Sequence, residues 1–522
     1  MRTKKPALAC TAVILGMAML VTACSSGGAS PESTSAASDP HPGGDVTMAR
    51  QSDVESLDPV VPSDNFSIWT SGLIFDTLVV SSNDGKKLLP SLAESWKVND
   101  AGTEYTFKLR DGVKFTNDQP VTSDDVVWSL KRAFGSDSVT YGFMDPSAVV
   151  TAPDAKTVVI TVDHVFAPLL SVLALYSSAV IPKDFGGLTE EAFSTKPIGS
   201  GPYMLAEWTR GQQMKLTKNT HYWKSGQPYL NSITFTAVPN DNTRLLQLQG
   251  KQIQVDEFPA YSSVATLKQT PGIKVGLFPS SSTEFMLLNN TKAPFNDVHV
   301  RRAIAHMVDK AAMSKAIFYG LVEPATSYLN PLIKGHDPEI KSLAYDVDAA
   351  KKEMAQSTVP KGFDTTILVV SGEVDRAAVA QIMQKSLSKI GINAKIQTVD
   401  QSGKIAAFEA KNYDIGFISF TTDIMDSSQT ARRADGRPGV STAAYSYWLD
   451  SRVGPLLDGA KLTLDENKRI DMYKEVGAIV NEETPFVTMF YLPAAYAFSD
   501  KLHGFESTAT GYYTLATAWL DE

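Results

Sequence analysis

An α/β fold is predicted, and the observations behind it lie late in the chain. Residues 365–370 read as a strand, 375–390 as an amphipathic helix and 393–399 as a second strand. Val379, Ile382, Met383, Leu387 and Ile390 recur at helical spacing and form one apolar stripe. Strand, helix and strand in that order make a βαβ unit with a parallel pair. With 522 residues, 43% hydrophobic and 20% charged, the chain is long enough for two or three such cores.

The N-terminal segment stands apart. Arg2, Lys4 and Lys5 precede an apolar run over 7–20, too short for a stable membrane-spanning helix, which ends Leu20-Val21-Thr22-Ala23-Cys24. This is similar to a bacterial lipobox and predicts a lipoprotein signal peptide over 1–23, with Cys24 lipidated. Residues 25–44 are rich in Ser, Gly and Pro without apolar periodicity. They read as a flexible tether with a reach of roughly 25 Å. The two cysteines, Cys10 and Cys24, both fall in this region. The folded body therefore has neither a disulfide nor a thiolate metal site. Without residues 1–23, 45 Lys and Arg face 57 acidic residues, a charge of −12. No basic stripe invites nucleic acid.

The body opens with a strand over 45–50, a loop over 51–62 and a helix over 65–80 carrying Trp69, Leu73, Ile74 and Leu78. A strand over 103–109 follows the turn at Ala101-Gly102, and Asp111-Gly112 predicts a hairpin into 113–115. Ser123 is the expected N-cap of a helix over 126–134, with Asp124 and Asp125 at its positive end. Gly199, Gly201 and Pro202 predict a rigid loop with positions open to positive φ. Asp297 is the expected N-cap of a helix over 298–308.

The most informative stretch is 413–426. Ile415, Phe417, Ile418 and Phe420 read as a buried strand that runs into Asp423 and Asp426. A carboxylate at the end of a buried strand is costly unless something compensates it. Either Asp423 caps the following turn or helix, or it awaits a cation that is not part of the chain.

No enzyme constellation is read: Gly-x-Ser-x-Gly, His-Glu-x-x-His and phosphate-binding glycine loops are absent. The seven histidines are scattered. His299 and His306 share a helix face but lie in a packing stripe, so no metal or cofactor is predicted.

Residues 92–132 closely resemble the signature of family 5 extracellular solute-binding proteins, the oligopeptide-, dipeptide- and nickel-binding components of ABC importers. The likeness continues through Gly199-Ser200-Gly201-Pro202-Tyr203, Trp208, Asn219 and Tyr222-Trp223, then Asn289, Pro294-Phe295, Asp297, Arg301 and Asp309, and Gly391-Ile392. It implies a two-lobed periplasmic-binding-protein-like fold of cluster C type, with an extra inserted domain, mixed sheets with flanking helices, and a two-strand hinge over 283–290 and 486–492. It also implies a discontinuous domain I (45–76, 195–284 and 488–522), an inserted domain II (77–194) and a domain III (285–487).

By the same resemblance, Asp423 receives the α-amino group of a peptide, and Ser419, Phe420 and Thr421 line the pocket wall. The loop lacks the prolines and tyrosine common in relatives. Arg433, with its neighbour Arg432, is a candidate for a peptide carboxylate. Tyr491, Phe285 and Trp69 are candidates that read first as core, and Ser52 and Asp53 follow the first strand. The implied role is a monomeric lipoprotein anchored outside the membrane through Cys24. It captures peptide between two lobes and hands it to permease transmembrane subunits. A metal chelate, glycoside or opine-like solute is the alternative, and a secreted hydrolase or a peptide-sensing receptor are readings of other classes.

Overall fold

The computed structural model describes residues 39–438 and 445–521. The expected signal peptide, Cys24 and the expected tether up to residue 38 lie outside them. Among the described residues no helix is long and apolar enough to cross a membrane.

Two large mixed sheets organise the body. The first has seven strands, in the order Ile273–Phe278, Ala494–Ser499, Val255–Glu257, Asp45–Arg50, Ser232–Ala237, Gln213–Lys218 and Tyr203–Thr209. Asp45–Arg50 is parallel to both of its neighbours. Its alternating side chains Val46 and Met48 enter a core with Phe235, Tyr203 and Tyr496.

The second sheet has six strands: Glu323–Pro324, Phe486–Tyr491, Thr283–Leu288, Ile415–Phe420, Phe363–Val370 and Ile392–Val399. The last two are parallel in register over eight residues, and the helix Val374–Leu387 connects them. Val379, Met383 and Leu387 are buried as expected; Ile382 is 37% exposed and Ala380 takes its place. This sheet is covered on both faces by separate apolar cores, so its central strands are largely apolar rather than alternating. Thr283–Leu288 is buried at every position.

A smaller antiparallel sheet joins Ala93–Val98, Glu104–Leu109, Thr157–Thr161 and Val149–Asp154 over its own core around Phe107, Leu130 and Ile160. The two large sheets communicate through paired strands. Ile273–Phe278 pairs with Ala494–Ser499 in the first, and Thr283–Leu288 with Phe486–Tyr491 in the second. The chain thus crosses between the two large sheets twice, at 279–282 and 492–493; the strands 283–290 and 486–492 expected to make the crossing lie within the second sheet instead.

Local expectations fail where distant residues intervene. The first helix spans Asn65–Ile74 rather than reaching residue 80. The Ile74 carbonyl accepts from the Gly201 N–H at 2.9 Å. A Cβ at Gly199 would stand 2.0 Å from that carbonyl oxygen, and one at Gly201 2.5 Å from its carbon. Neither glycine has positive φ; both are needed for close approach, not for turn geometry. Residues 113–115 form no strand. Both edges of Glu104–Leu109 are occupied by Ala93–Val98 and Thr157–Thr161, so only the bridge Lys114–Pro120 forms. The helix Ser123–Ala133 is capped by Thr122, whose N–H and hydroxyl both donate to Asp125. Ser123 instead donates to the Asp154 carbonyl. Asp297 caps Val298–His306 as expected, accepting from the His299 N–H at 2.9 Å.

Candidate functional site

The strand Ile415–Phe420 lies between Thr283–Leu288 and Phe363–Val370, antiparallel to the first and parallel to the second. Its first four residues are buried; Ser419, Phe420 and Thr421 emerge half-buried. The exit is held rigidly. Thr422 is fully buried, takes its N–H to the Ser281 hydroxyl at 3.0 Å and shares a hydroxyl bond with Thr430 at 2.7 Å.

Gln429 then clamps Asp423. Its Oε1 accepts from the N–H groups of Asp423 and Ile424 at 2.9 and 3.0 Å, and its Nε2 donates to Asp423 Oδ2 at 2.6 Å. Asp423 is not a cap. Asp426 caps the short helix Ser427–Ala431 and is neutralised by Arg469 at 2.9 Å. Asp423 forms no ion pair within 4 Å among the described residues. Burial raises its carboxyl above the ordinary value, against the Gln429 hydrogen bond and the Arg433 charge. Arg433 lays its guanidinium over the Phe420 ring, 4.1 Å from the centroid, and donates to the Thr421 carbonyl at 3.4 Å. Burial lowers it to about 9.

Two cavities flank this strand end. The smaller, about 270 Å³, is lined by Asp423 together with Asp76, Tyr176, Tyr222, Lys224 and Tyr512. The larger, about 720 Å³, lies between the two large sheets. Gln51, Asn240 and Phe258 line it from one side, and Glu284, Arg376 and Leu492 from the other. There Arg376 is bidentate to Glu284 at 2.7 and 2.8 Å, binds Glu373, and donates to Ser419 Oγ at 3.2 Å. Asn65 Nδ2 reaches the Thr421 hydroxyl at 3.4 Å. Asp423 thus lines the smaller cavity, Arg376 of the larger one reaches Ser419, and Phe420, Thr421 and Arg433 contact one another at the strand end.

The other sequence candidates are not brought to it. Trp69 is 3% exposed, donates to the Thr510 carbonyl at 3.1 Å and packs on Phe66, Phe258 and Tyr513. Phe285 is buried between Phe420 and Phe486. The Tyr491 hydroxyl is spent on the Ser327 carbonyl at 2.8 Å and on the N–H groups of Thr326 and Ser327. Asp53 accepts from Trp208 Nε1 and the Gly211 N–H, both at 2.8 Å, and so staples a hairpin instead of facing the cleft. Ser52 is exposed. Arg432 turns to the Gly142 carbonyl and the Phe143 ring.

His299 and His306 bind Glu353 and the Ala344 carbonyl respectively. Among the described residues Asp145, Asp163 and His164 form a surface cluster whose imidazole already bonds both carboxylates.

Reasoning from the sequence missed Asp76, Glu284, Arg376 and Tyr512. Glu284 had a readable signal, a lone acid within an apolar strand. Asp76, Arg376 and Tyr512 had none, because only the fold brings them to the cavities.

A family model, bacterial extracellular solute-binding proteins, family 5 Middle, matches residues 87–439. The glutathione-binding protein GsiB of Shigella dysenteriae serotype 1 is 29% identical over 476 residues, covering 88% of this chain and 91% of that one. A dipeptide-binding protein of Escherichia coli K12 is 25% identical over 458 residues, covering 81% and 85%. Among solved structures, the ABC transporter-associated periplasmic binding protein DppA of Helicobacter pylori, in complex with the peptide STSA, superposes with a TM-score of 0.83 at 27% identity, covering 92% and 99%. The binding protein AgaA of A. tumefaciens R10, in complex with agropinic acid, does so at 0.82 and 25% identity, covering 92% and 99%.

Proposed function

This chain belongs to the bacterial extracellular solute-binding proteins, family 5, and we propose that it captures peptides by their amino terminus and delivers them to an ABC permease. The observation that carries this reading is Asp423, a carboxylate at a cavity wall, tethered by a neutral amide and with no ion-pair partner within 4 Å among the described residues. Leaving such a group charged costs stability. An α-ammonium would complete it with a charge-assisted hydrogen bond. The strand-end carbonyl and hydroxyl groups of Ser419 and Thr421 would hold an extended backbone, as in strand-addition recognition. Relatives named for glutathione and dipeptide binding, and the STSA complex, support the peptide class.

The mechanism is closure. The lobes expected as domains I and III swing about the two crossings at 279–282 and 492–493, where few residues change φ and ψ. Solute bound between them favours the closed state by its differential affinity, and the closed surface is what a permease recognises. Domain II (77–194) flanks the smaller cavity. No covalent step is involved. The protein acts as a monomer outside the cytoplasm, tethered to the membrane by lipid on Cys24.

Native mass spectrometry of the gently purified protein tests the solute class. A ladder of peptide masses released on denaturation is the expected result; a single non-peptide mass would overturn it. The agropinic acid complex of AgaA favours an opine-like compound as the second reading.

A further inference from the structure

Lys310 is a cation sealed into the fold with no anion to answer it. It opens the helix Lys310–Ile317 and is 8% exposed. Its Nζ donates to the Ala325 carbonyl at 2.7 Å, and it forms no ion pair within 4 Å among the described residues. The neighbouring acid, Asp309, is spent as the cap of the same helix, accepting from the Ala312 N–H at 2.9 Å. Burial lowers the Lys310 ammonium to about 8, which leaves it charged at neutral pH.

A cavity of about 40 Å³ opens beside it. Tyr328, Ser342, Asn481 and Thr488 also line it, and Lys310 is the one charged residue among the lining residues. Tyr328 is 2% exposed, and its hydroxyl is buried without a hydrogen-bond partner. The helix Glu466–Glu483 ends at this cavity, but its last carbonyls are taken. Thr484 donates its N–H to Val480 at 2.8 Å and its hydroxyl to Asn481 at 3.1 Å. None of the lining residues belongs to the two cavities described above.

A buried ammonium without a counter-charge and a buried hydroxyl without an acceptor are each costly. One negatively charged acceptor in the cavity would answer both. Volume sets its size: a water needs about 10–15 Å³ and a whole organic ligand about 300–1,000 Å³. We propose that this cavity binds a small monovalent anion of the halide class, held by the Lys310 ammonium and the Tyr328 hydroxyl. The site is independent of the solute reading given above.

Thermal unfolding tests it, on protein dialysed free of halide and titrated with sodium chloride, sodium gluconate keeping the ionic strength constant. Gluconate is too large for the cavity. A saturable rise of the midpoint by about 1 °C or more is expected in chloride. Tyr328→Phe keeps the ring and removes the hydroxyl. In gluconate its midpoint should equal or exceed that of the unaltered protein, because an orphan donor is gone; in chloride it should fall behind. Lys310→Met should abolish the rise. Absence of a chloride-specific rise, or a rise kept in full by either variant, would overturn the proposal. Should Lys310→Met not fold, anomalous diffraction from crystals of the unaltered protein grown in sodium bromide replaces it. A bromine peak against Lys310 Nζ and Tyr328 Oη is expected there, and water density without anomalous signal overturns the proposal.

Discussion

Glu257 in the seven-stranded sheet and Asp423 at the edge of the six-stranded one share an electrostatic signature and differ in everything that decides function. Both carboxyls are raised by burial, Glu257 to about 7. Glu257 has no exposed surface. Its Oε1 accepts from Tyr513 at 2.9 Å and Tyr496 at 3.2 Å, and the charge of the equally buried Arg50 compensates it. Asp423 is half-buried and faces a cavity. A sealed carboxylate must carry its compensation within the fold, whereas one on a cavity wall can leave it to a solute. A raised pKa alone does not tell these cases apart; access does.

The comparison is broken most forcefully at the sealed site. Glu257→Ala would strand Arg50 and two tyrosine hydroxyls, and a loss of ~3–5 kcal/mol of stability is expected in urea denaturation. A loss below 1 kcal/mol would mean that Arg50 is compensated elsewhere. Acidity gives the next largest effect. Glu257 binds its proton more tightly folded than unfolded, so its contribution is fully present below about pH 4.5 and is lost as pH rises to about 7. At 1.36 kcal/mol per unit, the loss is ~3 kcal/mol. Glu257→Gln should flatten that slope in denaturation curves taken across the window.

Asp423→Asn probes the open site. Peptide affinity is expected to fall by ~1.5–3 kcal/mol, the worth of a charged hydrogen bond, with the thermal midpoint of the empty protein nearly unchanged. Affinity kept and midpoint lost would place Asp423 beside Glu257 as a structural acid. Because burial raises its carboxyl, affinity should also strengthen as pH climbs through that raised value and weaken on acidification, a trend calorimetry can follow. The smallest effect is the cap: Thr122→Ala should cost ~1 kcal/mol of stability and leave solute binding alone.

Much of this was legible in the linear chain. The 3.6-residue spacing of Val379, Met383 and Leu387 placed one helix face, and the flanking apolar runs placed the parallel strands. Asp297 announced its helix. The step from Ile415–Phe420 into Asp423 marked the strand end that leads to the smaller cavity. Elsewhere the signals were ambiguous. Asp53 and Asp423 each follow a strand, yet one staples a hairpin and the other faces a cavity. Trp69 and Tyr491 carry the aromatic chemistry of a binding site and spend it on backbone carbonyls.

What the sequence determined by itself is what neighbours in the chain decide: element type, amphipathic faces, the Asp297 cap, and the family. These depend on spacings of a few residues. The tertiary structure alone decided which residues meet. Asp76 and Asp423 line one cavity, Arg376 finds Glu284, and Gly199 and Gly201 end a helix more than a hundred residues earlier by pressing on Ile74. Such contacts are set by how separate sheets pack, and no local pattern of residue types encodes which distant side chains will share a cavity.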